Sequence, residues 1–157
     1  MKQIITPAQV VEIAFTDGEY IAAESIAEAD IAAATERWIL PVAGSEVLEA
    51  VAEERYGDFA EEYLKPAIAL YTRCLVQPRL NVSTSMLGLS SPASANRKAA
   101  DKEHTLALMA SLRKRARTAL RSMSDYLQAN AADMAEYDPK SNILNRCTTD
   151  GGFVQIF

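Results

Sequence analysis

Apolar residues recur along this chain at the three- and four-residue spacing of amphipathic helices, and proline, glycine and polar clusters interrupt them. Thr6-Pro7-Ala8-Gln9 predicts a helix start: Thr6 caps, Pro7 fixes φ at the first helical position, and Gln9 reaches back to complete a capping box. Val10, Val11 and Ala14 form its apolar face, and Asp17-Gly18 ends it. Ser25 to Glu28 repeats the S-x-x-E signature, and Ile31, Ala34 and Trp38 follow at i, i+3 and i+7, predicting a second helix to about Leu40 that Pro41 stops. After Gly44, Ser45 is the expected cap of a third helix with Val47, Leu48 and Val51 as its stripe, closed by Tyr56-Gly57-Asp58. From Asp58 the pattern is helical again, with a break or kink at Pro66, where a ring replaces a hydrogen-bond donor. Beyond it Ala67, Leu70, Tyr71 and Cys74, widened by Leu64, Ile68 and Leu75, leave little polar surface. This segment, closed by Pro78, is the expected central and most buried helix.

Residues 79–97 change texture. Leu80, Val82 and Met86 alternate with polar neighbours before the chain turns rich in Ser, Ala, Pro and Asn, which predicts a long loop with an extended or hairpin portion. Loops of that length inside a compact domain are uncommon and usually functional or disordered. Leu80, Val82, Met86, Leu87 and Leu89 are too apolar for a plain linker and are candidate partner contacts. The longest helix is expected from about Ala99 to Met134, with Leu106, Met109, Leu112, Ala116, Leu120, Met123, Leu127 and Met134 as its stripe and Asp138-Pro139 beyond its end. It would span on the order of 50 Å. The chain closes on Phe153-Val154-Gln155-Ile156-Phe157, an apolar tail that either adds as a strand or plug to another surface or packs back on its own domain. Phe153, Val154, Ile156 and Phe157 join the candidate contacts. The fold class is therefore all-α: a helical bundle with one long C-terminal helix, a long loop or small hairpin, and an extended tail, organised as a domain over 1–137 and an extension over 138–157.

Composition narrows the class without choosing a function. With 157 residues, 49% of them hydrophobic, the chain can build one core without disulfides or a structural metal. No apolar run reaches the ~18 residues of a membrane span, and MKQIITPAQ lacks the apolar stretch of a signal peptide, so a cytoplasmic or intracellular-assembly address is expected, with no membrane partner. Cys74 and Cys147 have no paired spacing, which fits a reducing compartment, and Cys74 reads as a small core residue rather than a nucleophile. The net charge of −5 hides a division: residues 1–78 hold fourteen acids and five bases, residues 79–157 seven acids and eleven bases. Either solvated helix faces simply differ in composition, or acidic and basic faces meet between copies, as a head-to-tail contact in a ring requires.

The motifs of common enzymes are missing: no G-x-G-x-x-G, P-loop, G-x-S-x-G or H-E-x-x-H is present. His104 is the only histidine, expected to be solvated, and adjacent carboxylates such as Glu53-Glu54 and Glu61-Glu62 diverge on a helix. No catalytic, metal-binding or cofactor-binding residue is therefore assigned, and no enzyme activity or cofactor is expected. One constellation stands out. Arg113, Arg117 and Arg121 fall at i, i+4 and i+8, flanked by Lys114 and Arg115, as a basic ridge without interleaved aromatics. Three readings are open: a solvated face whose Arg stems cover the core, a contact with acidic protein including a neighbouring copy, or a nucleic-acid contact of a packaging or regulatory module.

The succession of elements resembles the head-tail connector (adaptor, or head-completion) proteins of tailed bacteriophages. The residues carrying this are the capped helix Thr6 to Phe15, Trp38-Ile39-Leu40-Pro41-Val42-Ala43-Gly44, Glu62-Tyr63-Leu64-Lys65-Pro66-Ala67 leading into the apolar helix that ends at Gln77-Pro78, Met86-Leu87-Gly88 in the loop, and the Ala-rich helix with Tyr126-Leu127. The resemblance implies a structural protein of the virion neck, assembled in the host cytoplasm. It would form a ring, dodecameric in such proteins, below the portal and join the capsid to the stopper or tail, with DNA only as channel cargo. It also implies that the 80–89 loop and the 153–157 tail reach the portal, the tail proteins or neighbouring subunits.

Overall fold

The computed structural model describes residues 4–15, 21–80, 83–85, 88–90, 102–150 and 153–156. Its helices are α1 (Pro7–Ala14), α2 (Glu28–Ala34), α3 (Leu40–Ala43), α4 (Ser45–Ala52), α5 (Gly57–Phe59), α6 (Lys65–Leu80) and α7 (Lys102–Ala129). Two-stranded antiparallel ribbons pair β1 (Ser83–Ser85) with β2 (Gly88–Ser90) and β3 (Cys147–Asp150) with β4 (Phe153–Ile156). The architecture is an all-α bundle with a long C-terminal helix, and these ribbons are its hairpins.

Helix α6 is the hub, packed by α1, α2 and α7. Its residues 67–73, together with Val76 and Gln77, are buried, as its unbroken apolar texture predicts. The core around it takes Val10 and Ala14 from α1, Ile31 and Ala34 from α2, Val47, Leu48 and Val51 from α4, and Ala116, Leu120, Met123 and Leu127 from α7. The cap at Thr6 forms as expected: the Gln9 N–H donates to Thr6 Oγ1 at 3.3 Å, and the Thr6 N–H donates to Gln9 Oε1 at 3.0 Å.

Arg73 is fully buried in the middle of α6. Its Nη1 donates to the Ala14 carbonyl at 2.5 Å, its Nε donates to Gln77 Oε1 at 3.2 Å, and its guanidinium lies 4.4 Å from the Phe15 ring centroid. A cation at the C-terminal end of α1 satisfies one of the carbonyls left without an intrahelical donor and meets the negative end of the helix dipole.

The prolines behave differently from their usual role as helix stops. Pro41 and Pro66 each follow a π-turn, Thr35–Ile39 and Ala60–Leu64, in which the Leu40 N–H bonds the Thr35 carbonyl and the Lys65 N–H bonds the Ala60 carbonyl. The i→i+5 register adds a residue to the turn just where the proline ring would strike the carbonyl four residues back, so the chain stays helical through both positions. Pro41 therefore does not stop the second helical segment, which runs on to Ala43, and no break in helical structure occurs at Pro66. Pro78 lies inside α6, which continues to Leu80.

Other boundaries also move. Ser25 is not a cap but the end of a 3-10 turn (Ala23–Ser25); α2 starts at Glu28 because the Asp30 carboxylate accepts from the Ala27 N–H at 3.1 Å. Gly44, at φ +84°, takes the N-cap position assigned to Ser45, a conformation that suits a residue without Cβ. Helix α7 ends at Ala129, not Met134, where a turn over 130–133 lets Met134 and Tyr137 fold back into the core. The expected start at Ala99 lies outside the described residues. Leu106, placed in the buried stripe by spacing, is 59% exposed, in a first part of α7 where residues 102–107 are exposed or half-buried and the buried stripe begins only at Leu112.

Candidate functional site

The basic ridge lies at the margin of the α7 core stripe. Leu112, Ala116 and Leu120 are buried, and Arg113, Arg117 and Arg121 follow each by one residue, about 100° round the helix. All three arginines and Lys114 are exposed. Among the described residues, Arg55 pairs with Glu136 and Glu53, Lys65 with Glu61, and Arg79 with Asp30 at 2.7 Å. Arg113, Lys114, Arg117 and Arg121 have no carboxylate partner among the described residues. On a protein of net charge −5 this is a local excess of positive charge.

Folding brings to this ridge what its own stretch of sequence lacks. The π-turn Thr35–Ile39 sets Trp38 against Tyr71 of α6, ring centroids 4.6 Å apart and planes 17° from parallel, with the Arg37 guanidinium 4.9 Å from the Trp38 centroid. A cleft of about 370 Å³ is lined by Arg37, Trp38, Tyr71, Cys74, Arg113 and Arg117. It continues past Leu120, Arg121 and Asp125, the one carboxylate in its lining, to Gln128, Leu144 and Asn145, where the end wall is pinned by hydrogen bonds from Gln128 to Asn145 and around Asn142. Arg37, Trp38 and Tyr71 were not assigned from the sequence, since they lie more than forty residues from the ridge; the one available signal was an aromatic flanked by a cation ahead of Pro41.

Electrostatics argue against nucleophilic chemistry here. Burial pushes the Cys74 thiol above its ordinary value, against the weaker pull of Arg113 and Arg73, so the thiolate is disfavoured. Burial likewise raises the Tyr71 phenol, with Arg117 opposing. The cleft offers the guanidinium donors of Arg37, Arg113, Arg117 and Arg121 against the single carboxylate of Asp125, a balance that favours an anionic partner.

The other candidate contacts are scattered. Leu80 closes α6, half-buried against the core. Leu89 lies on β2 opposite Thr84, while Phe153, Val154 and Ile156 lie on β4 opposite Asp150, Thr149 and Cys147 of the same chain. Val82, Met86, Leu87 and Phe157 lie outside the described residues. Among the described residues no three potential metal ligands converge, and no helix is long and apolar enough to cross a membrane.

Fold and cleft together define a helical protein with an exposed arginine ridge beside a stacked aromatic pair. Residues 36–146 match DUF6712, a family of unknown function, and the chain belongs to that family. The matched stretch contains every residue of the cleft. No curated protein and no solved structure matches the chain.

Proposed function

We propose that this protein is a structural adaptor of the tailed-phage virion neck, a ring-forming subunit below the portal that joins the capsid to the stopper or tail. The observation that carries the reading is the surface of α7: Arg113, Lys114, Arg117 and Arg121, exposed and without a carboxylate partner among the described residues, and an exposed Leu106, on a bundle of net charge −5. Exposed apolar and uncompensated charged surface of that kind suits a protein whose neighbours complete it. Its partners are then the portal above, tail or stopper proteins below and copies of itself, with DNA passing as cargo. The test is mass by light scattering at low and high salt, for the protein alone and mixed with the portal protein encoded in the same genome. A ring-sized species or a portal complex is expected; a monomer indifferent to portal at every salt concentration refutes the reading.

The ridge itself favours a second reading, a nucleic-acid-binding module, since Arg113, Arg117 and Arg121 present guanidinium groups about 6 Å apart along the axis. It requires oligonucleotide binding that weakens steeply with salt and is lost when the three become Glu. Unchanged retention of DNA by that variant removes it.

A further inference from the structure

The cleft's aromatics do not form an open stacking platform, because Trp38 is already engaged by Tyr71 and Arg37, and Tyr71 is only 6% exposed. Base stacking, the main sequence-independent gain of single-strand binders, is therefore poorly served. An occupant with carboxylates at matching intervals is better served, and this chain carries one. On α4, Val47, Leu48, Ala50 and Val51 are buried, which turns Glu46 and Glu49 to solvent, and Glu53, the C-cap residue, follows them at i+7. Glu46 and Glu49 have no ion-pair partner among the described residues, and Glu53 meets only Arg55, both well exposed. The acidic ridge from Glu46 to Glu53 rises about 10.5 Å and the basic ridge from Arg113 to Arg121 about 12 Å.

We infer that the α7 ridge of one copy docks on the α4 ridge of the next, antiparallel, with Arg113 facing Glu53, Arg117 facing Glu49 and Arg121 facing Glu46. This rests on the self-assembling reading above and assigns the surfaces that meet. The direction follows from the apolar ends. The ridge face continues toward the N-terminus of α7 through exposed Ala110 to Leu106, seven residues before Arg113 and 59% exposed. At the Glu53 end of α4 lies a cleft of about 330 Å³ whose apolar walls, Ile4, Val51, Ala52 and Ala60, are rimmed by the charged Glu54, Arg55, Glu61 and Lys65. Antiparallel docking carries Leu106 into that cleft and also opposes the two helix dipoles. The contact is heterologous, each copy offering a different patch, so it propagates around a ring. The charges set partner choice and register, while Leu106 supplies apolar burial.

Charge reversal tests the pairing. Sedimentation velocity at low salt is run on wild type, on R113E/R117E/R121E, on E46K/E49K/E53K and on the sixfold variant, with circular dichroism melts to confirm folding. Each triple variant is expected to associate at least about tenfold more weakly than wild type, and the sixfold variant, with both signs exchanged, to recover most of the loss. Leu106→Asp is expected to weaken association without lowering the melting temperature. The inference is overturned if the wild type is monomeric, if either folded triple variant associates like wild type, or if the sixfold variant stays dissociated while folded. Loss of oligonucleotide (dT20) binding as the only effect of the arginine reversals also overturns it, in favour of nucleic acid. Wild type that still captures portal while indifferent to all reversals overturns this contact and leaves the adaptor reading standing.

Discussion

Asn142 offers a sharp test of how the end wall of the cleft is held. It is fully buried, and its side chain makes three hydrogen bonds: Nδ2 donates to Ser124 Oγ at 2.9 Å and to Tyr137 Oη at 2.8 Å, and Oδ1 accepts from the Leu144 N–H at 2.9 Å. The last caps the 3-10 turn Ile143–Asn145, which carries Leu144 and Asn145 into the cleft. Asn142→Ala deletes all three bonds and leaves the Leu144 N–H without its acceptor, while Ser124 Oγ keeps a contact with Gln128 Nε2 at 3.5 Å. At ~1 kcal/mol net per bond, with the added penalty of a half-buried orphan donor, the loss is about 3 kcal/mol. For a chain of this size that lowers the melting temperature by roughly 6–12 °C.

Thermal unfolding followed by circular dichroism measures it, and a double-mutant cycle isolates the network. Tyr137→Phe alone is expected to cost about 1 kcal/mol, and in the Asn142→Ala background almost nothing, because its partner is already gone. A shift below 2 °C for Asn142→Ala, or strict additivity of the pair, would refute the reasoning.

Arg73→Met is expected to destabilise by about 2 kcal/mol in urea titrations, because the Ala14 carbonyl loses a charged donor in the interior. Leu112→Ala, at a position 1% exposed, should cost about 2–5 kcal/mol by the same measurement, whereas Leu106→Ala stays within about 0.5 kcal/mol. The Tyr56 hydroxyl and Arg55 hold Glu136 below the ordinary carboxylate value, and Arg79 with the Ala27 N–H does the same for Asp30. Depressed carboxylates contribute stability that is present above their unfolded value and lost as pH falls through the folded one. Glu136→Gln and Asp30→Asn should therefore each flatten the acid limb of melting temperature against pH while leaving its slope above neutrality unchanged. Trp38 is the only tryptophan, so Arg37→Ala should shift its emission by removing the guanidinium over the ring, with little loss of stability.

What could be read from the sequence was what depends on neighbours a few residues away. The Thr6 box, the α4 stripe of Val47, Leu48 and Val51, and the burial of α6 all follow from spacing along one helix. Proline was misread because its rule concerns an α-helical register, and a π-turn changes the register ahead of Pro41 and Pro66. The start of α2 lies at Glu28 rather than at the Ser25 signature because the Asp30 carboxylate takes the Ala27 N–H, and that carboxylate is further held by Arg79, forty-nine residues away. The cleft was half legible: periodicity puts Arg113, Arg117 and Arg121 on one face, but no local signal tells that Trp38 and Tyr71 stack beside it.

The geometry of α7 explains why a single helix can be both core and contact surface. Its buried positions Leu112, Ala116 and Leu120 advance by four before Met123 and Leu127 follow by three and four, and the arginines, one residue after each of the first three, advance by four with them. A pure four-residue step overshoots the 3.6-residue turn, so a ridge built that way drifts slowly around the helix by about 40° per step. Over Arg113 to Arg121 the drift is about 80°, and the stripe from Leu112 to Leu120 drifts with it, which keeps every guanidinium about 100° from the core, on the flank. Arg113 and Arg117 thus stay beside Trp38 and Tyr71, and Arg121 reaches the Leu144 wall. An i+3 series would drift the other way. The constant one-residue offset is therefore what lays the charges along the cleft while leaving the apolar stripe intact.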